Sequence, residues 1–264
     1  MTTPGVGDDW RPWLGERLGE LAAALRFLTR LPLPHADPVG GAVLAQSVWA
    51  FPLAGIAVGV IGAVVYALAH RVGLPPWPAA GLALAATLAA TGALHEDGLA
   101  DTADGFGGGD TREAKLEIMR DARIGTYGVC ALVLSLLLRT AALTSLGRSG
   151  AVAAALLAAH AAARAAIPVV MLLVRPARSD GLSYAAGQPA GTRAGVAAAL
   201  GLIMLIACLG PIRAIIAAIV LVVAVALVTR LSAAQIGGQT GDVLGAIEQG
   251  GEITMLLAAA SWAM

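Results

Sequence analysis

Six apolar runs constrain this chain more than any other feature, at roughly 48–69, 79–95, 126–147, 151–174, 194–210 and 212–231. A helix needs ~20 apolar residues to cross the hydrocarbon of a bilayer. The runs are close to that length, with 194–210 on the short side. Only 13% of the residues are charged and 58% are apolar, at a mean hydropathy of +0.80. Soluble domains hold ~25% charged residues, so this chain lacks the side chains to cover a water-facing surface. The expectation is an all-α, polytopic integral membrane protein forming a single membrane-embedded domain over 1–264, without a sequence repeat. A further helix starting near Asp242 is long enough to cross, although it carries Glu248 and Glu252 with it. That makes about seven spans.

Residues 14–31 precede the runs and read as an amphipathic helix. Leu14, Leu18, Leu21, Leu25 and Leu28 share one stripe, and Arg17, Glu20 and Arg26 fall off it. Such a helix lies in the membrane interface. "LPLP" with His35 then breaks it. Asp8, Asp9, Trp10 and Glu16 come before any apolar run, unlike a cleaved signal peptide. Cys130 and Cys208 are not spaced as a metal or redox pair and read as buried small hydrophobes.

With the N-terminus in the cytoplasm and the spans alternating, twelve basic residues fall on the cytoplasmic side and three (Arg71, Arg148, Arg213) on the other. This orientation gathers 95–125, 175–193 and 232–252 on the cytoplasmic face beside the N-terminal helix. The net charge of zero gives no argument for nucleic acid.

"HEDGLADTADG", His95 to Gly105, sets four carboxylates at the edge of apolar sequence, as if it extended the second span. Asp97, Asp101 and Asp104 stand at i, i+4 and i+7, one face of a helix, with Glu96 pointing elsewhere. Carboxylates in that register repel one another unless a cation lies between them, and all-oxygen ligands suit Mg²⁺ or Mn²⁺. A Gly-rich turn follows. Asp110 with Glu113 forms a capping-box pattern, and Glu113, Glu117 and Asp121 fall on one helix side. Arg112, Lys115, Arg120 and Arg123 belong to the same segment. Carboxylates for metal and arginines for phosphate oxygens describe a metal–diphosphate site. Paired i,i+4 salt bridges are the plainer explanation for some of these charges.

In "GGQTGDVLGAIEQGGE", Gly237 to Glu252, the turn at Thr240 and Gly241 can offer backbone N–H groups to a phosphate, and Asp242 can cap the helix or join the metal. Within the spans, His160 and Arg164 share a face, with Arg164 expected to point at the site and His160 to be a hydrogen-bonding neighbour. Arg139 reads as an interfacial snorkeller.

"LHEDGLADTADG" followed by "LEIMRDARIGTYG" resembles the signature of the adenosylcobinamide-GDP ribazoletransferase (cobalamin-5′-phosphate synthase) family. "FLTRLPLP" at 27–34, "FPLAGIAVG" at 51–59, the Arg164 region, "RSDGL" at 178–182 and "GGQTGDVLGA" at 237–246 follow in the family's order. Two positions depart from the pattern. Family members often have an apolar residue in place of Glu96 and an acid in place of Gln249.

The resemblance implies a Mg²⁺-dependent transferase of cobalamin biosynthesis in the cytoplasmic membrane. Adenosylcobinamide-GDP and α-ribazole, or its 5′-phosphate, give adenosylcobalamin, or its 5′-phosphate, and GMP. Asp97, Asp101 and Asp104 are then the catalytic metal ligands, with Asp121 and Asp242 either as further ligands or behind the ligands, supporting them. Arg120 and Arg123 hold the diphosphate, supported by Arg112, Arg164, Thr240 and Gly241. A free carboxylate or His95 takes the proton from the ribazole 5′-hydroxyl, the other role for His95 being to hold an aspartate. The implied partners are the two substrates, the lipid bilayer, and either a second copy of the chain or other cobalamin-assembly enzymes. Two other readings are a CDP-alcohol phosphatidyltransferase, from which the spacing of the aspartates departs, and an ion transporter, which expects carboxylates in mid-span.

Overall fold

The computed structural model describes residues 10–33 and 40–262; His35 lies outside them. The described residues form twelve α-helices and no strand. α1 (Trp10–Leu28) carries the leucine stripe, which is only half covered. Leu28 is buried and Leu21 and Leu25 pack on the core, while Leu14 and Leu18 are exposed. The firmer anchor is on the polar side. Buried Glu20 accepts hydrogen bonds from Trp49 Nε1 (2.6 Å) and from Arg193 Nη1 and Nη2 (2.6 and 2.9 Å). Burial pulls the Glu20 pKa up, but the bonds from Arg193 and Trp49 outweigh it and leave the carboxyl below its ordinary value.

α2 (Gly41–Ser47) runs through a short 3₁₀ turn into α3 (Phe51–Arg71) as one 31-residue apolar rod. α4 (Pro76–Thr91) follows, then α5 (Leu94–Gly108), α6 (Arg112–Ile118), α7 (Thr126–Leu146) and α8 (Ser149–Leu173). A small α9 (Gly181–Ala186) precedes α10 (Gly191–Leu209), α11 (Pro211–Ile236) and α12 (Gly241–Ser261). The α2–α3 rod, α7, α8, α10 and α11 are each long and apolar enough to cross a membrane. The expected second span, 79–95, is not one helix. Gly92 (φ +65°) and Ala93 (φ +56°) both adopt left-handed backbone, and α5 leaves α4 at 91°. A helix at a right angle to its predecessor does not continue its crossing. The acidic stretch is therefore a separate helix, and the expected count of seven becomes five long spans plus this bent pair.

α12 packs on α5, α7, α8 and α11 and is buried along most of its length. It holds Glu248 and Glu252 inside protein rather than lipid. One apolar cluster, rich in alanine, fills the end near Tyr66, Leu146, Ala214 and Ala259. A second, with Leu28, Phe51, Met119, Ile167, Ile236 and Val243, underlies the other end. That end collects the motif segments. Arg112 of α6 donates from Nε to the Ile236 carbonyl (2.8 Å) and from Nη2 to that of Ala177. Pro176 pairs with Gln239 in a short bridge, and Ser183 donates to Gln239 Oε1 (2.7 Å). Cys130 and Cys208 are free, and neither is buried as expected: Cys130 is exposed on α7 and Cys208 is half-buried.

Candidate active site

The site begins where α5 crosses the start of α12. Both helices have a glycine at the crossing. A Cβ on Gly98 would lie 2.7 Å from the Asp242 carbonyl oxygen, and one on Gly245 would lie 3.2 Å from that of His95. Only backbones without side chains approach so closely. The approach brings Asp242 beside Asp97 and Asp101, one turn apart on α5. Burial, then the neighbouring charges of Asp97, Asp242 and Asp104, push Asp101 up to about 7. Burial likewise raises Asp242, against the pull of Arg178. The group carries uncompensated negative charge.

Asp104 occupies the expected face but has a different local task. Its Oδ2 accepts from Gly125 N–H (2.7 Å) and its Oδ1 from Gly128 N–H (2.8 Å), so the buried carboxylate caps α7. The α6 cap is Thr111, whose hydroxyl accepts from Ala114 N–H (3.2 Å), in place of the expected Asp110–Glu113 box. Asp121 lies beyond the end of α6, outside the helix side expected to carry it with Glu113 and Glu117. There it closes on Arg123 Nε and Nη2 (3.0 and 2.5 Å), and those bonds hold it down at about 2. Arg120 pairs with Asp180 (2.5 Å). Lys115 is buried and donates to the Phe106 and Gly109 carbonyls (3.2 and 2.5 Å), fastening the end of α5. Thr240 caps α12 through Val243 N–H (3.2 Å) and donates to Asp242 Oδ2 (3.1 Å).

A cavity of about 370 Å³ opens beside the aspartates. Asp97, Asp242, His95, Gly241 and Arg178 line its polar side, and Phe27, Phe51, Ile167 and Met171 are among its apolar walls. A second, more open cavity of about 600 Å³ is lined by Arg112, Arg120, Arg175, Arg178, Ser179 and Tyr184. Arg178 belongs to both. It sits 3.2 Å from Asp180 and 3.5 Å from Asp242, and its buried Nη1 has no hydrogen-bond partner among the described residues. Neither Arg178, which opens "RSDGL", nor Arg175 is marked as functional by its spacing in the sequence. The available signal was the pair of arginines ahead of that aspartate.

Behind the aspartates lies a second group of charges, wholly inside the protein. Arg139, expected as a snorkeller, is buried between Glu96 (3.1 Å) and Glu252 (3.1 Å). Arg164 meets Glu252 (2.9 Å) and, by charge without an aligned N–H, Glu248 (2.5 Å). It faces this network rather than the open cavity. His160 contacts Glu252, and His95 Nδ1 lies 3.4 Å from Glu248. Glu96, expected to point elsewhere, also accepts from Gln249 Nε2 (3.2 Å). The two departures from the family pattern thus touch each other: one carboxylate facing Arg139 stands on α5 here, beside a neutral Gln249 on α12.

All-oxygen donors and excess negative charge suit a hard divalent cation at Asp97, Asp101 and Asp242. Among the described residues only His160, Glu248 and Glu252 bring three ligand atoms within 4.8 Å of one another. Those carboxylates are already paired with Arg164 and Arg139. The aspartates stand wider apart, which fits a cation that keeps several waters and binds few carboxylates directly. The transporter reading expected mid-span carboxylates; α12 does carry two, but the arginines close them in.

An all-helical membrane protein with an acidic helix crossing beside an arginine-lined cavity has the equipment of a membrane-embedded phosphotransferase. The chain belongs to the cobalamin-5-phosphate synthase family, whose model matches residues 20–260. It is 54% identical over 247 residues to an adenosylcobinamide-GDP ribazoletransferase of Bradyrhizobium diazoefficiens, covering 94% of this chain and 95% of that one. It is 52% identical over 242 residues to the enzyme of that name from Mesorhizobium japonicum, covering 92% and 93%. A third from Ralstonia nicotianae is 40% identical over 252 residues, covering 94% and 97%. No solved structure matches.

Proposed function

We propose that this chain joins adenosylcobinamide-GDP to α-ribazole or its 5′-phosphate, releasing GMP and giving adenosylcobalamin or its 5′-phosphate, with Mg²⁺ at Asp97, Asp101 and Asp242 and the site facing the cytoplasm. The observation that carries this reading is the α5–α12 crossing, which places three aspartates beside Arg178. The twelve-to-three distribution of basic residues supports the orientation.

A ribazole hydroxyl oxygen attacks the phosphorus attached to cobinamide. The new P–O bond replaces the bond to the GMP phosphate, and GMP departs with the bridging oxygen. The 5′-oxygen expected from sequence is not the attacking atom, because the 5′-phosphorylated substrate keeps its phosphate in the product. A ribose ring hydroxyl is. A divalent cation held by the aspartates would neutralise charge on the diphosphate oxygens. Arg178 supplies positive charge to those oxygens, and its buried Nη1 has no partner among the described residues. His95 lines the cavity with Nδ1 turned to Glu248, which leaves Nε2 to take the hydroxyl proton. Asp104 supports the site by fixing the start of α7, and Asp121 and Arg123 form a surface pair at its edge.

The test is GMP release by detergent-purified protein supplied with adenosylcobinamide-GDP, α-ribazole and Mg²⁺, with and without chelator. Turnover that survives chelation, or that stays near normal in both Asp97→Ala and Asp101→Ala, overturns the assignment.

A further inference from the structure

The two cavities differ in shape and lining, and a displacement at phosphorus needs two sides. In an in-line transfer the attacking oxygen and the leaving group lie on opposite faces of the phosphoryl group. Arg178 lines both cavities and sits 3.5 Å from Asp242.

Resting on the reaction proposed above, we infer that the cavities divide the substrates: α-ribazole enters the apolar cavity, and the guanosine nucleotide lies in the arginine cavity. Three observations support the division. The apolar cavity, at about 370 Å³, is at the small end of the ~300–1,000 Å³ range of ligand pockets. That suits one aromatic base with its ribose and leaves no room for a corrin ring. Phe27, Phe51, Ile167 and Met171 offer that base an apolar surround, while Asp97, Asp242 and His95 meet the ribose at the polar side.

The second cavity has the opposite chemistry. Four arginines line it, against which Asp180 supplies a carboxylate to Arg120 and Arg178. Arg112 is tied to backbone carbonyls, and Arg175 makes no ion pair among the described residues. Arg175 is therefore the donor open to a phosphate, beside the buried and unpartnered Nη1 of Arg178. Tyr184, exposed on the same wall, offers a ring face to a base. Arginine and tyrosine together suit a nucleoside phosphate, and the leaving nucleotide is the one this reaction releases.

Equilibrium binding of the two small molecules separates the halves without turnover. Wild-type protein in nanodiscs is titrated with GMP and, independently, with α-ribazole. Arg175→Gln weakens GMP by about tenfold, the scale of one charge-assisted bond, and leaves α-ribazole unchanged. Met171→Trp, which fills the apolar cavity, abolishes α-ribazole binding and keeps GMP binding, so retained GMP binding also reports that the variant is folded. If Arg175→Gln leaves GMP affinity intact, the division is wrong. It is also overturned if Met171→Trp loses GMP while retaining α-ribazole, or if α-ribazole 5′-phosphate displaces GMP competitively. Wild type that binds neither molecule overturns the reaction itself.

Discussion

α5 and α12 each carry two kinds of carboxylate. On α5, Asp97 lines an open cavity with Asp101 one turn behind it, while Glu96 is buried against Arg139; on α12, Asp242 joins the open group and Glu248 and Glu252 the closed one. The closed group is three carboxylates against two guanidiniums, with His95 and His160 alongside. The open group has one arginine, Arg178, and an aspartate forced up to about 7. Charge buried with partners holds helices together, whereas charge left short of partners waits for a ligand. Adjacent positions such as Glu96 and Asp97 can therefore belong to different machinery.

Removing a charge should have opposite consequences in the two groups. In the open group, Asp101→Ala lowers GMP release by at least about 10²-fold, the scale of losing an electrostatic stabiliser of the transition state. Its metal-free thermal midpoint stays unchanged or rises, since one repelling carboxylate is gone. In the closed group, Arg139→Leu strands Glu96 and takes one of Glu252's cationic partners, and costs about 3–5 kcal/mol of stability. Denaturant titration reads that loss, and turnover per folded molecule changes far less. A variant of either group that behaves like the other erases the distinction.

A smaller effect sharpens it. Glu96→Leu weakens the closed group, and adding Gln249→Glu returns a carboxylate from the facing helix. The pair should recover about 1–3 kcal/mol in a double-mutant cycle. Additive losses would mean that the two positions do not share Arg139.

The smallest effect concerns Glu20 on α1, a paired carboxylate outside both groups. Its folded pKa lies below the ordinary 4.5, so its contribution is complete above that pH and is lost as pH falls through the folded value. The stability gap between wild type and Glu20→Gln should narrow only below about pH 4.5. A gap that closes between pH 5 and 7 contradicts the pairing with Arg193.

The sequence made the open group legible through local spacing: Asp97 and Asp101 lie one turn apart, and a helix there suffices to align them. The Gly-rich turn before α12 marks Asp242, and the family's ordered motifs name the reaction. The closed group was hidden because its partners are distant, Glu96 and Arg139 being 43 residues apart. Nothing local distinguishes a snorkelling arginine from one buried between two glutamates. Asp104 kept its register but not its assumed role, since the N–H groups it caps come from 21 and 24 residues later. The turn at Gly92–Ala93 was masked by apolar residues on both sides of a lone glycine, which read as one continuous run.

That turn also sets how the protein meets its bilayer. α4 ends after 16 residues, about 24 Å of helix, whereas α3 and α7 have 21, about 31 Å. A hydrocarbon layer of ~30 Å overshoots α4 by some ~6 Å. A span that short is met by local thinning of the bilayer or by neighbouring protein, and α5 turns away from it at 91°. Acyl-chain length is therefore felt first at α4: longer-chain lipids deepen a mismatch that already exists there, before the longer α3 and α7 fall short.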